Sequence, residues 1–452
     1  MFRARVLMAG AVALMLGTAP MVAHGESLTE ALASAYTNNP NIASALLSVK
    51  SAAENIALAE AGKRPTIAAS LQGTYNFSIT GDGYNDGNDL TGGLSYRQNL
   101  FDNFQTEADI EQARAMTDLS AQALRNEEQN VLLSVTDAYM SVIRDSQLVA
   151  LRQENINFFQ AQLQSARDRL EVGEGTRIDV AQAEARLAQA VASHRAAISS
   201  LQTSEASYAR WVGHKPSNLS SNVGFDYMVP GTIDGAIASA EERHPAILSA
   251  KAAIRAAQAG SDGAQAAFGP TLDLIGQLCA IGCFNGGTHG VSGSVQLQLS
   301  IPIYAGGALG ASVRKANLEQ IKSEVDAMSA YDQVREAVIT SWSTMQNTTA
   351  QITSAQAAVS SQQLVVEGVI QERDLGQRTT LDVLNAQAEL TSARESLITA
   401  NTSRVVAMFS LIAATGELSA EDLKLPVQLK SPDNYRATVE DVWQELRTVA
   451  DE

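Results

Sequence analysis

The residues able to do covalent chemistry are few and scattered. Five histidines stand at 24, 194, 214, 244 and 289. No G-x-S-x-G, H-E-x-x-H or phosphate-loop run accompanies them, so the chain reads as a non-enzyme. The two cysteines, Cys279 and Cys283, lie in the run CAIGC. Their spacing is not the C-x-x-C of redox proteins, and two thiols without a neighbouring histidine pair fall short of a four-ligand zinc site. In an exported chain the expected state is a local disulfide. No metal and no cofactor is expected.

The polar residues that recur in a pattern lie elsewhere. GEGTRIDVAQAEARLAQA begins at Gly173 and GQRTTLDVLNAQAELTSA at Gly376, and 8 of the 18 aligned positions are identical. Thr176 and Asp179 are three apart, as are Thr379 and Asp382. That is the spacing of a capping box at a helix start, which by itself would explain the repeat. Asn385 follows Asp382 by one helical turn, on the same face. Arg373 and Arg378 flank the second copy.

The elements that carry these residues can be read from composition. The chain has 452 residues and a net charge of −17. It opens with Arg3 and Arg5, an apolar run from Val6 to Ala19, and Ala23-His24-Gly25, the form of a secretory signal peptide over residues 1–25. Removing it leaves the chain more acidic still, which argues against nucleic acid as a partner. No later segment is a 20-residue apolar run, so no transmembrane helix is expected; membrane strands leave a much weaker hydropathy signal.

Prolines are absent from 66–215 and from 303–425. Such stretches permit long helices, because proline breaks helix interiors. Leu132, Val135, Tyr139 and Val142 step by three and four residues. So do Leu318, Ile321, Val325, Met328 and Tyr331, then Val334, Val338, Trp342 and Met345. These are stripes for packing against other helices. A helix over about 102–172 would run roughly 100 Å at 1.5 Å per residue, a length that implies coiled-coil-like bundling. Pro40 and Pro65 reappear as Pro245 and Pro270 within similar runs. The chain is read as a tandem duplication, 26–230 and 231–416, followed by a C-terminal segment, 417–452, in which Trp443 and Leu446 suggest a short amphipathic helix.

Each half also holds a change of period. Ile67, Ala69, Leu71, Tyr75, Phe77 and Ile79 alternate with polar residues, then a loop TGDGYNDGNDLTGG, then Leu94, Tyr96 and Leu100 alternate again. The second half repeats this with Leu272, Leu274 and Leu278, a loop, then Val295, Leu297, Leu299 and Ile301. These are hairpins at about 66–101 and 271–304, apolar on one face and polar on the other. In water the apolar face needs a cover that the helices cannot spare. In lipid the edges must close, and four strands are too few. Three copies give twelve strands with a polar lumen. The fold class expected is mainly α with β: a long antiparallel α-helical barrel, plus a membrane β-barrel completed by trimerisation with four strands per protomer. A soluble β-sandwich on a coiled coil is the plainer alternative.

With the duplication, the hairpins between helices and the order of the local runs in place, the chain resembles the TolC family of outer-membrane export channels over about 27–430. VGEGTRIDVAQA and LGQRTTLDVLNAQAEL resemble the family's two helix-turn-helix tips. RQNLFD (97–102) and LSIPIYAGG (299–307) resemble its strand-to-helix junctions. The resemblance implies a homotrimer in the outer membrane of a Gram-negative bacterium, with its helical barrel in the periplasm. It implies docking to a periplasmic adaptor and an inner-membrane RND or ABC pump, in drug efflux and/or type I protein secretion. It implies a closed tip that opens like an iris. On that pattern three Asp382 make an acidic constriction favouring cations. Asn385 stands where the family has a second carboxylate, which weakens the ring. Arg378 matches the family's basic latch residue, expected to pair with Asp179 on the other hairpin, and Arg373 stands where an aromatic often completes that latch. The alternative function is a non-conducting exported coiled-coil scaffold or adhesin, which ion conductance would separate from a channel.

Overall fold

The computed structural model describes residues 25–81, 83–283 and 290–440. The leader before Gly25 and the Trp443–Leu446 helix lie outside the described residues. Each half of the chain has the same element order. The first half runs α1 (Leu28–Asn38), α2 (Pro40–Glu60), β1 (Thr66–Thr80), β2 (Gly83–Phe101), α3 (Gln105–Glu171) and α4 (Arg177–Val212). The second runs α5 (Ile233–Arg243), α6 (Pro245–Ala266), β3 (Thr271–Cys283), β4 (Gly290–Ser300), α7 (Ala308–Asp374) and α8 (Thr380–Ala414), with α9 (Asp433–Glu440) after it.

The proline-free stretches are indeed long helices. Both α3 and α7 have 67 residues, about 100 Å each. Pro40 and Pro245 sit at the first turn of α2 and α6, where a missing N–H costs nothing. The strand-to-helix junctions also repeat. Asn103 and Phe104 precede α3 with φ of +57° and +68°, and Gly306 and Gly307 precede α7 with +63° and +86°. Two successive left-handed residues swing the chain from the sheet into the helix in each half. The first half holds Asn103 there by a bond from its Nδ2 to the Ala266 carbonyl, 3.0 Å.

The four strands form one antiparallel sheet in the order β1-β2-β3-β4. The registers Ile67–Tyr96, Ala69–Leu94, Leu94–Leu278, Leu274–Leu297 and Leu272–Leu299 put the apolar sets of all four strands on one face. That face is bare: Ile67 is 67 %, Leu71 75 % and Val295 82 % exposed. The opposite face carries Thr66, Ser70, Gln72, Gln277, Ser294 and Gln296. Arg97 and Asp273 pair there across β2 and β3 at 3.1 Å.

Two expectations for the sheet need correction. The run TGDGYNDGNDLTGG is strand rather than loop from Gly83 onward, zipped by the pairs Ile79–Tyr84, Phe77–Asp86 and Tyr75–Asn88. Cross-strand pairing overrides the weak strand preference of glycine and aspartate. Pairing of β2 with β3 begins only at Asp89, so among the described residues the outer part of β1–β2 is a two-stranded ribbon. The expected Cys279–Cys283 disulfide is not formed: Cys279 is a free thiol. Both residues lie on β3. Four residues of strand separate their Cα atoms by about 13 Å, well beyond the roughly 7 Å limit for a disulfide. Cys279 belongs to the polar face; the side chain of Cys283 lies outside the described set.

The helices share one main core. Leu28, Leu32, Leu132, Val135, Tyr139, Tyr208, Phe409 and Ile412 meet in it, together with Leu418, Leu423 and Leu425 from the segment after α8. The expected stripe on α3 is therefore buried. The stripe on α7 is split. Val334 and Val338 pack on Ala236, Ala240 and Ile247 of α5 and α6, but Leu318, Ile321, Val325 and Met328 are each more than half exposed. The C-terminal segment straps the body together. Glu128 accepts from the Ala420 N–H at 2.5 Å, Lys430 donates to the Tyr36 carbonyl at 2.9 Å, and Arg436 reaches Asp118 at 2.8 Å. Pro40–Lys63 and Thr380–Ala414 are long and apolar enough by composition to cross a membrane, against the expectation of none. Both mix alanine with larger apolar residues, and both lie along α3 as rods of the helical body.

Candidate functional site: the helical tip

The far end of the helical body is built twice. Gly173 (φ +82°) and Gly376 (φ +79°) take the left-handed conformation that closes each long helix, at little cost for glycine. Three residues on, a capping box opens each return helix. Thr176 Oγ1 accepts from the Asp179 N–H at 3.1 Å, and the Thr176 N–H donates to the Asp179 carboxylate at 3.0 Å. The matching distances at Thr379 and Asp382 are 3.2 and 2.9 Å. Thr379 also donates its hydroxyl to Asp382 at 2.8 Å. Hydrogen bonds from the Thr379 backbone, then its hydroxyl, then the charge of Arg378, hold the Asp382 carboxyl below the usual carboxylate range. The carboxylate therefore stays ionised into mild acid.

The arginines do not act as the resemblance implies within one chain. Arg378 pairs with Glu372 on its own hairpin at 2.9 Å, not with Asp179, whose carboxylate is engaged by the Thr176 cap. The reason is proximity: Glu372 ends the same turn that Arg378 leaves. Arg373 is 8 % exposed. It forks onto its neighbour Asp374 at 2.7 and 3.0 Å and reaches Gln162 of α3 at 2.5 Å. Asn385 accepts from Arg186 of α4 at 2.8 Å.

Arg373 and Asn385 thus belong to a ladder joining the α3–α4 hairpin to the α7–α8 hairpin. Arg152 adds a two-pronged pair with Glu395, at 2.7 and 2.9 Å. Thr391 donates to Asn155 at 3.2 Å. Beneath the polar rungs sits a small buried cluster, Ile156 and Phe159 of α3, Ala190 of α4 and Leu384 of α8, with Leu384 fully buried. Arg186, Gln162, Arg152, Glu395 and Leu384 were not singled out from sequence. Their partners are some 200 residues away, and only the helical period of Ile156, Phe159 and Leu163 hints at a covered face.

A site made of caps, inter-hairpin rungs and an apolar plug has no nucleophile and base in contact, and no His/Cys/Asp/Glu group suited to a metal occurs among the described residues. Its chemistry is that of a joint. The family described as Outer membrane efflux protein matches residues 31–214 and again 236–417. The chain belongs to this family. It is 37 % identical to the outer membrane efflux protein BepC of Brucella suis over 98 % of this chain and 96 % of that one. It is 24 % identical to the outer membrane protein TolC of Escherichia coli, over 91 % and 86 %. Among solved structures, the Campylobacter jejuni CmeC outer membrane channel superposes with a TM-score of 0.76 at 16 % identity, over 93 % and 90 %. The open-state Neisseria gonorrhoeae MtrE outer membrane channel gives 0.73 at 20 %, over 86 % and 88 %. The fold is that of outer-membrane efflux channels, with helical barrel and β-barrel, and the protein resides in the Gram-negative outer membrane.

Proposed function

We propose that three copies of this chain form a channel-tunnel that serves as the exit duct of an inner-membrane pump. The observation that carries the reading is the sheet. Its apolar face is bare, its edges β1 and β4 are both unpaired among the described residues, and lipid tolerates neither an open edge nor an unclosed sheet. Three sheets joined β4 to β1 give twelve strands, which closes a barrel wide enough for water. The apolar face then meets lipid, and the Thr, Ser and Gln face lines the lumen. The same threefold arrangement covers the exposed half of the α7 stripe with a neighbouring helix.

In this assembly the tips converge on the axis. Three Asp382 carboxylates form an acidic constriction that favours cations, tempered by Arg186 held one turn away at Asn385. Opening consists of the α7–α8 hairpin parting from α3–α4, which breaks the ladder and the plug. A periplasmic adaptor binding the open form would shift the population toward it. The pump is of the RND or ABC type, and the cargo drugs and/or secreted protein. The capping role of Asp179 and Asp382 coexists with the constriction.

Two measurements test this. Native mass spectrometry in mild detergent is expected to show three copies, and planar bilayers are expected to show ion conductance; a monomer without conductance returns the protein to the scaffold or adhesin reading. Crosslinking in cells followed by pull-down is expected to recover an adaptor with an RND pump, an ABC exporter, or both. Recovery of neither adaptor nor pump would remove the duct reading.

A further inference from the structure

The first described residues of the chain are held by unusually many polar groups. Glu26 N–H points to the Ser217 carbonyl at 3.5 Å. The Glu26 carbonyl accepts from the Tyr139 hydroxyl at 2.8 Å and the Ser220 N–H at 3.0 Å. Its carboxylate accepts from the Tyr208 hydroxyl through Oε1 at 2.6 Å, and His214 Nε2 lies 3.4 Å from the same oxygen. Tyr139 and Tyr208 are fully buried, and the Glu26 side chain is 10 % exposed. Its second oxygen, Oε2, is buried with no partner among the described residues. A buried carboxylate oxygen left without a donor is costly, and native structures rarely keep one.

The missing donor follows from how the chain is made. Residues 1–25 read as an export leader, and Ala23 and Gly25 occupy the small-residue positions before a cleavage point. We propose that the Gly25–Glu26 bond is the maturation cleavage site, and that the α-ammonium released on Glu26 pairs with the orphaned Glu26 carboxylate oxygen to complete this buried cluster. The step is a hydrolysis by an export peptidase. Water adds across the amide, its oxygen goes to the new Gly25 carboxylate, and the Glu26 nitrogen leaves as an amine that is protonated at neutral pH.

Three further observations fit. An ammonium carries three donors where the amide had one, enough to keep the long contact to Ser217 and reach Oε2 as well. The position lies one residue before Ser27, the N-cap of α1. Positive charge is disfavoured at that end of a helix, but Glu26 and Glu30 both place carboxylates there, and Glu30 already accepts the Ser27 N–H at 2.9 Å. At Gly25 a Cβ would lie 2.3 Å from the Asn218 carbonyl oxygen. The intact chain therefore has room only for glycine at that position, the kind of small residue a cleavage point also requires.

The test uses the full-length protein purified from outer membranes. Mass spectrometry of the intact chain is expected to give Glu26 as the first residue. Amine acylation at neutral pH, read by peptide mapping, is expected to modify the native α-amine at least tenfold more slowly than that of the denatured chain. Glu26→Met keeps the side-chain length without the carboxylate, and is expected to raise the native rate several-fold. A first residue other than Glu26 overturns the proposal. So does a native rate equal to the denatured one, which needs no variant to observe. A protected amine whose rate is unmoved in Glu26→Met also overturns it, because burial alone then explains the protection.

Discussion

Leu384→Ala separates two ways in which the tip could work. Leu384 is fully buried among Ile156, Phe159 and Ala190, and so it touches both helices of the first hairpin from the second. Truncating such a leucine costs about 2–5 kcal/mol, because the transfer energy is lost and a cavity remains. If the hairpins part on opening, the closed state alone loses that contact. Taking about 3 kcal/mol, and a factor of ten for each 1.4 kcal/mol, the open-to-closed ratio rises roughly a hundredfold. The exposed Arg378–Glu372 pair is screened by water and salt and cannot match this. The plug, rather than the surface arginine, should dominate closure. The assay is the resting leak of the reconstituted channel in a planar bilayer, alongside thermal unfolding. Leu384→Ala should show a lower melting temperature and a strongly raised leak, and Arg378→Ala little of either. A variant that melts early yet leaks no more than wild type would refute the reasoning, since the two hairpins would then move as one body.

Three other outcomes follow. Gly416 has φ +80°, and a Cβ there would meet His244 Cα at 2.7 Å; Gly416→Ala should destabilise by more than about 1 kcal/mol in thermal unfolding, whereas Gly231→Ala, with open space around it, should not. Thr379→Ala removes the side-chain cap, worth about 1 kcal/mol of helix stability, and with it the hydroxyl bond, the second cause of the low Asp382 pKa after the backbone N–H bond, which alanine keeps. In wild type, that depressed pKa gives a contribution that is full above the ordinary 3.8 and is lost only as the pH falls below it. Cation preference in bilayers should therefore hold from neutrality down to about pH 4 and should fade at a higher pH in Thr379→Ala. Cys279, a free thiol on the polar face, should react with a hydrophilic maleimide without prior reduction; labelling that requires a reductant would show that the thiol is oxidised after all.

What could be read from sequence was what is local. A glycine followed three residues later by threonine, and three more by aspartate, encodes a turn and a cap within one short segment, so both tips were visible. Proline spacing and apolar period likewise marked the long helices and the two-faced strands. The strand extent over 83–93 was hidden because glycine and aspartate are poor strand formers on their own, and only the partners Ile79, Phe77 and Tyr75 make them pair. The disulfide failed for a geometric reason: cysteines four apart can meet across a turn but not along a strand. The rungs Arg186–Asn385, Arg373–Gln162 and Arg152–Glu395 join residues 199, 211 and 243 positions apart. Nothing in either segment names its partner, and Arg378 found a nearer acid than the one expected.

The outer part of the β1–β2 hairpin has a different consequence. From Tyr75 to Thr80 and from Gly83 to Asn88 the ribbon leans on no other described element, so its side chains answer to no core. Substitution there is nearly free of structural penalty, while the strands below pair within the four-stranded sheet and the helices beyond pack on a core. The chain therefore keeps its capacity for drift at the one end that faces the cell's surroundings. Lineages of this channel should diverge fastest there, and an epitope inserted at that loop should be displayed without disturbing the duct.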